Sequence, residues 1–189
     1  ISYWYARPGS GDFFGPIITH VPTDQPITVA HFNPAGGAST LRVKIQGGTM
    51  GPHAVAVSLN GKPVGTVSFS DQANVEASFP VAVVNEGPNT LRLVGASPDD
   101  VTVVDDVQLT YPHSYIADGD QLRFTAPVKK ATTISGFSTQ AITVLDITDP
   151  ANPSVVTGKA SGSAPNYAFT IVPTAGSGTR TLLALTDAQ

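Results

Sequence analysis

Short runs in which apolar and polar residues alternate most restrict how this chain folds. In residues 40–46 the odd positions are apolar and the even positions are polar, so an extended strand there has one buried face. In residues 53–59 the odd positions hold His, Val, Val and Leu, and the following Asn60-Gly61 suits the positive φ angles of a tight hairpin turn. No stretch keeps a helical apolar stripe beyond one turn. The pattern predicts an all-β fold.

The alternating runs form two groups that meet near Pro112-His113. We predict a jelly-roll or galactose-binding-like β-sandwich over residues 1–112 and a smaller β-sandwich domain over residues 113–189. The turn at 85–88, Asn-Glu-Gly-Pro, is expected to interrupt the strand ladder. The predicted strands are residues 27–32, 40–46, 53–59, 64–69, 74–84, 89–94, 101–111, 121–126, 132–137, 141–147, 154–156, 166–172 and 181–186, with a weaker one around 3–5.

Composition excludes several classes of function. The 14 acidic residues outnumber the 10 Lys and Arg residues, and a net charge of −4 provides no basic surface for a nucleic-acid backbone. No apolar run approaches the roughly 20 residues that span a bilayer. The absence of cysteine excludes disulfides and cysteine catalysis within these residues. Because the chain begins at Ile1 rather than at Met, we expect a piece of a longer polypeptide.

The sequence contains no recognisable catalytic pattern. A glycine-flanked serine elbow, a zinc-protease helix motif, a Walker loop and a dinucleotide fingerprint are all missing, and the four histidines are scattered. We therefore predict no catalytic residue, no cofactor other than the cation considered next, and no enzymatic activity for this part of the polypeptide. An independent hydrolase stays open as a third hypothesis.

Four aspartates, Asp99, Asp100, Asp105 and Asp106, form the densest acidic cluster in a chain that has only two glutamates. Loops at the rim of a sandwich supply the several oxygen ligands that calcium prefers, so these residues are our candidate calcium ligands. The alternative is a solvated turn at Asp99-Asp100 and a satisfied polar pair at Asp105-Asp106. Asp105 shares the parity of the apolar residues in its strand, which predicts either a β-bulge or a buried acid with a partner.

Two further residues are candidate binding residues. His53 lies on the apolar face of its strand, where it is either a ligand-binding group or a histidine hydrogen-bonded to a turn at the mouth of the strand. Trp4 belongs to an aromatic group beside a glycine-rich loop that begins at Pro8. Flat aromatic faces in such a position stack on sugar rings, and the alternative is that they belong to the core.

Several segments in order resemble the region upstream of the catalytic domain in gingipain-type cysteine peptidases. The clearest is the hairpin HAVAVSLNGKPVG at residues 53–65. The similarity continues through EGPNTLRL, VQLTYP, ADGDQLRF, SGFS and VLDITDP, and spans residues 40–187. The resemblance implies accessory β-domains of a secreted or cell-envelope peptidase whose catalytic His and Cys lie in a downstream domain. No position of this chain matches those two residues.

Two functional hypotheses follow. The first is a non-catalytic accessory region that positions or docks the downstream peptidase domain, its expected partner in the same polypeptide, through one contiguous apolar patch. The second is a lectin-like carbohydrate-binding module, assisted by calcium, that attaches to a cell-surface glycan or protein. Neither hypothesis involves nucleic acid or a membrane span.

Overall fold

The computed structural model describes residues 15–174 and 176–187, together with the backbone of residues 2–4. The chain divides into two compact units, Ile1–Ser114 and Tyr115–Gln189. Their described residues form strands and connecting turns without a helix, which confirms the predicted all-β fold. It follows that no described helix is long and apolar enough to cross a membrane.

The described residues of the first unit form nine strands in two antiparallel sheets. One sheet has the order β1-β9-β4-β7, with β2 also paired to β9, and the other has the order β3-β8-β5-β6. The strands are β1 (Ser2–Trp4), β2 (Ile17–Ile18), β3 (Thr23–Val29), β4 (Ser39–Gly47), β5 (Pro52–Leu59), β6 (Lys62–Ser70), β7 (Asn74–Val81), β8 (Gly87–Gly95) and β9 (Thr102–Thr110).

The strand pairs of this unit are nested one inside another. β5 pairs with β6, β4 with β7, β3 with β8 and β2 with β9, all antiparallel. Such nesting arises when one long hairpin folds over on itself. Successive strand pairs then alternate between the two sheets: β5-β6 and β3-β8 lie in one sheet, and β4-β7 and β2-β9 lie in the other. The topology is therefore that of a jelly roll, as the sequence predicts.

One apolar core fills the space between the two sheets of the first unit. Alternate residues of β4 (Leu41, Val43 and Ile45) are fully buried and meet side chains of the opposite sheet such as Leu91 and Leu93 of β8. Removing each such side chain from water contributes about 1.5–3 kcal/mol to folding. The alternation of the sequence therefore reports directly which residues face the core.

A β-bulge in β9 changes which residues face the core. Lys44 is opposite Asp106, whereas the next residue, Ile45, is opposite Val104, so Asp105 is the additional residue. Val104 before the bulge and Val107 after it are both buried, although they have opposite parity. The single-parity interpretation of residues 101–111 is thus wrong for Val101 and Val103, and the bulge is one of the two predicted explanations for Asp105.

The turn predictions have different outcomes. Asn60 and Gly61 both have positive φ, 51° and 75°, which confirms the tight hairpin between β5 and β6. The turn at 85–88 is shorter than predicted, because Gly87 and Pro88 already belong to β8. The pairing of β8 with β5 extends from Gly95 to Leu91. Pro88 lies outside this paired part, so its lack of a backbone N–H removes no hydrogen bond to β5.

The second unit is a smaller sandwich of a four-stranded and a three-stranded sheet, with the orders β10-β16-β12-β13 and β11-β15-β14. Its core contains Phe124, Ile134, Phe137, Val144 and Leu182. The strands are β10 (Gln121–Pro127), β11 (Thr132–Phe137), β12 (Ile142–Asp146), β13 (Ser154–Val155), β14 (Gly158–Ser163), β15 (Asn166–Ile171) and β16 (Thr179–Thr186).

One strand of this unit, β14, escaped the sequence analysis. Its residues, GKASGS, contain neither an apolar alternation nor a β-branched side chain. Its pairing with β15 is what makes it a strand, since six consecutive residues are in antiparallel register with residues 166–171. A strand that forms because its neighbour pairs with it need not show a strand pattern in its own sequence.

We expect the Leu91→Ala variant to lower the free energy of unfolding by about 2–5 kcal/mol, because it leaves a cavity at a fully buried position of the core. Urea unfolding followed by circular dichroism measures this loss. The neighbouring Thr90→Ala variant, on the exposed face of the same strand, should change stability by about 0.5 kcal/mol or less. Equal losses in both variants would contradict the assignment of the two faces.

Candidate functional site

The predicted binding residue His53 lies inside the first unit, at the end of the sandwich where β5 begins. Its ring is 2 % exposed and stacks on Phe69 of β6, with ring centroids 4.7 Å apart. Nδ1 lies 2.6 Å from Oδ1 of Asp100, and Nε2 lies 3.0 Å from the carbonyl oxygen of Thr49 in the preceding turn. Both ring nitrogens therefore lie within hydrogen-bond distance of an oxygen atom.

Asp100 organises the hydrogen bonds around this histidine. Its Oδ1 also accepts from the hydroxyl of Thr102 at 3.1 Å, while Oδ2 accepts from the backbone N–H of Ala54 at 3.0 Å and of Ala96 at 3.4 Å. Burial acts to raise the pKa of Asp100, but these donors and His53 outweigh burial and hold the pKa below its usual value. The carboxylate thus fastens the 95–101 segment to the first residues of β5.

A glycine, Gly47, lies directly against this hydrogen-bond network. Gly47 ends β4 next to the histidine, and a Cβ atom at this position would lie 2.0 Å from the carbonyl oxygen of Asp71 and 2.8 Å from Nε2 of His53. Only glycine permits so close an approach. The histidine is enclosed and both its ring nitrogens are engaged, as in the alternative of a histidine hydrogen-bonded to a turn, and its role in ligand binding stays a prediction.

Asp105 and Asp106 lie in β9 and form ion pairs with the neighbouring strand β4. Lys44 Nζ lies 2.6 Å from Oδ2 of Asp105, and Arg42 binds both Asp106 and Glu76, the latter at 2.6 Å. The hydrogen bond from Lys44 is the main reason why the pKa of Asp105 is lowered. Burial instead raises the pKa of Asp106, whose Oδ1 has no hydrogen-bond partner.

The four predicted calcium ligands are therefore not grouped around one point. Asp100 faces His53, Asp105 and Asp106 face basic side chains of β4, and the side chain of Asp99 is exposed in the preceding turn. Within the described residues, no three histidine, aspartate or glutamate side chains are placed to hold one ion. Calcium binding and the role of the aspartates in it stay a prediction.

The aromatic candidates at the N-terminus are only partly described. The backbone of Trp4 belongs to β1 and is opposite Gln108 of β9, whereas its side chain and all of residues 5–14 lie outside the described residues. The predicted sugar-stacking role of Trp4 therefore stays a prediction.

An apolar cleft that the sequence analysis did not identify opens at one end of the first unit. Its volume is about 460 Å³. It lies between the loop that leads into β4 and the end of β7, where Ser39 is opposite Val81. Its walls are mostly alanine, valine, proline and phenylalanine: Phe32, Pro34, Gly37, Ala38, Ser39, Pro80, Val81, Ala82 and Val84.

Hydrogen bonds hold one wall of this cleft in place. The carboxylate of Glu86 accepts from the backbone N–H groups of Phe32 at 2.7 Å and of His31 at 2.9 Å, and these donors lower its pKa. The Tyr111 hydroxyl donates to the carbonyl oxygen of Ala30 at 3.1 Å, and the Phe32 ring meets the Tyr111 ring edge-on. The sequence indicated the 85–88 turn, but not the contact of its Glu86 with the backbone of residues 31 and 32.

Comparison with known proteins reveals a fold likeness over the whole chain. No protein family and no curated protein matches the sequence. The structure of dimeric latent PorU from Porphyromonas gingivalis is similar, with a TM-score of 0.64 and 14% identity, over 100% of this chain and 20% of PorU. The chain therefore spans one fifth of the length of that protein, and the two share a fold.

Two carbohydrate-binding domains are similar at lower TM-scores, which do not establish a shared fold. The CBM36-1 domain of a multidomain xylanase from the hindgut metagenome of Trinervitermes trinervoides has a TM-score of 0.42 and 12% identity, over 60% of this chain and 100% of that domain. A family 35 carbohydrate-binding module from an environmental isolate has a TM-score of 0.40 and 16% identity, over 57% and 84% of the two chains.

The Asp100→Asn variant should lose about 2–4 kcal/mol of stability at neutral pH, since an amide cannot accept all the hydrogen bonds that the buried carboxylate accepts. A lowered pKa in the folded state means that the stabilisation is present above the unfolded pKa of about 3.9 and is lost as the pH falls through the folded value.

We therefore expect the stability of the wild-type chain to fall more steeply than that of Asp100→Asn between about pH 5 and pH 3. Urea unfolding at a series of pH values measures both slopes. The Asp99→Asn variant, which changes an exposed neighbour, serves as the matched control and should follow the wild type. Parallel slopes for Asp100→Asn and the wild type would contradict the assignment.

Proposed function

We propose that this chain is a non-catalytic accessory region of a secreted or cell-envelope cysteine peptidase of the gingipain type. In this proposal it positions or docks the catalytic domain of the same polypeptide. The fold likeness to PorU carries the proposal, because a fold that matches this chain along its full length recurs as one fifth of a larger, latent protein. The ordered motifs between residues 40 and 187 support the same proposal independently of the fold.

The chemistry of the chain agrees with a non-catalytic role. Without cysteine, the chain has no nucleophile for a cysteine peptidase. The His53 imidazole, which is bonded to a carboxylate as a catalytic histidine is, lies buried between its partners and has no nucleophilic hydroxyl at its other ring nitrogen. The catalytic groups of such a peptidase would have to come from another domain.

The apolar cleft of the first unit is the surface that we assign to docking. Its exposed rim, which includes Ala38 and Ala82, is apolar and uncharged, which suits the buried centre of a protein interface. Glu86 and Tyr111 fix the wall that carries Phe32, so that little conformational freedom is lost when a partner binds. An apolar side chain of the catalytic domain is the occupant that this cleft fits.

Binding to the separately expressed catalytic domain tests the proposal. We expect the complete 189-residue chain to bind that domain in biolayer interferometry, or to change its rate of peptide hydrolysis. The Ala82→Arg variant, which brings a charge into the cleft, should weaken binding about tenfold, or by about 1.4 kcal/mol.

The matched control is Ala56→Arg, the same substitution at an exposed alanine on the outer face of the other sheet. It should bind like the wild type. If the wild-type chain neither binds the catalytic domain nor alters its activity, the accessory role is wrong. If Ala82→Arg and Ala56→Arg bind equally well, the cleft is not the docking surface.

A further inference from the structure

The free edge of the three-stranded sheet in the second unit supports an inference that does not depend on the proposed function. The order of this sheet is β11-β15-β14, so β14 pairs with a strand on one side alone. Within the described part of the chain, no backbone hydrogen bond outside the sheets involves residues 158–163. Alternate N–H and C=O groups along the far side of β14 therefore face outward without a strand partner.

The other described edge strands are protected against such pairing. β3, β6, β7 and β10 each contain a proline, which removes a backbone donor. The remaining edge strands are very short, with three residues in β1 and two each in β2 and β13. The segment before β10 covers β11: Ser135 donates to the carbonyl oxygen of Tyr115, and Ala117 donates to that of Ser135. β14 contains six residues, no proline and no covering segment among those described.

The core of the unit is incomplete along this edge. Across the sheet, large side chains of β11 and β15 are followed on β14 by very small residues: the inner row Ile134-Phe169 ends at Ala160, and the row Phe137-Tyr167 ends at Gly162. Ala160 and Tyr167 are only half-buried, as is Val156 just before β14, and these are the partly buried members of this core. An added strand with apolar side chains on its inner face would cover them.

The charge of the sheet is also positive. Its three strands contain one basic residue, Lys159, and no acidic residue, whereas Arg123 and Arg180 lie in β10 and β16 of the other sheet. Lys159 projects from the outer face of β14, opposite Thr170 of β15, and is exposed. Lys129 and Lys130 lie in the turn before β11 and are exposed as well. A strand with acidic side chains on its outer face would complement this charge.

We propose that the β14 edge binds an extended acidic segment of another protein, which adds to the sheet as a fourth strand. Backbone hydrogen bonds supply affinity, as in β-augmentation, and alternate side chains supply specificity. Apolar residues of the segment lie over Ala160 and Tyr167, while carboxylates on the opposite face lie near Lys159.

A second copy of β14 is a poorer occupant of this edge. It would bring a lysine and no acidic residue to Lys159, and its small inner residues would leave Tyr167 uncovered. A lysine on an edge strand acts against self-pairing, and it favours an acidic partner over a neutral or basic one. The same residue thus prevents aggregation and selects the occupant.

The test uses the complete 189-residue chain and a fluorescein-labelled peptide of about eight residues that alternates valine and glutamate. We expect saturable binding by fluorescence anisotropy, together with protection of β14 amides from hydrogen exchange. A peptide of the same sequence with alternate backbone nitrogens methylated should not bind, because it cannot form the ladder. A peptide that alternates valine and lysine should bind about tenfold more weakly, or not at all.

Variants of the chain separate the edge from general charge effects. Lys159→Glu should weaken binding of the valine–glutamate peptide about tenfold. Lys62→Glu, the same change at an exposed lysine on an edge strand of the first unit, should bind like the wild type. Both variants change exposed side chains, and circular dichroism checks that they remain folded.

Several outcomes would overturn the proposal. They are failure of the valine–glutamate peptide to bind, equal binding of its methylated form, and equal binding by the Lys159→Glu variant. A dimer of the chain, seen by analytical ultracentrifugation and accompanied by protection of β14 amides, would identify a second copy as the occupant and would also overturn it.

Discussion

The two sheets of the first unit are held together by alternate side chains of β4, β5, β8 and β9, which are buried between the sheets and form one apolar core. This burial has a second consequence, because every polar group that falls inside must find a partner. Asp100 accepts hydrogen bonds from four groups, and His53 uses both ring nitrogens. These polar side chains are buried at the end of the sandwich, where their hydrogen bonds join the 95–101 segment to β5.

Asp100 and His53 are occupied by hydrogen bonds within the sandwich. Our proposals for partner binding therefore rest on surfaces of the two units. These surfaces differ between the two units. The nine acidic and five basic residues of 1–114 account for the whole net charge of −4, while the five acidic and five basic residues of 115–189 cancel. Within the second unit the acidic residues lie outside the three-stranded sheet. The apolar cleft and the β14 edge, whose one charged residue is Lys159, therefore fit partners of different chemistry.

The sequence predicted most strands because a strand with one buried face must alternate. The runs at 40–46, 53–59 and 121–126 became β4, β5 and β10 with boundaries changed by only one or two residues. The dipeptide Asn60-Gly61 predicted the hairpin turn correctly, because few other residue pairs adopt two consecutive positive φ angles. The functional candidates were less accessible, since Asp100 and His53 are 47 residues apart and their contact depends on how β5 and the 95–101 segment meet.

The sequence by itself thus determined the all-β class and the core-facing residues of most strands, together with the lack of a cysteine nucleophile, because side-chain period and residue identity are local properties. Tertiary structure alone decided that Asp105 is the bulged residue of β9, that the 158–163 segment is a strand, and that Phe32 and Ala82 line one cleft. Each of these depends on the register between distant segments, which pairing across the sheets sets and no single segment encodes.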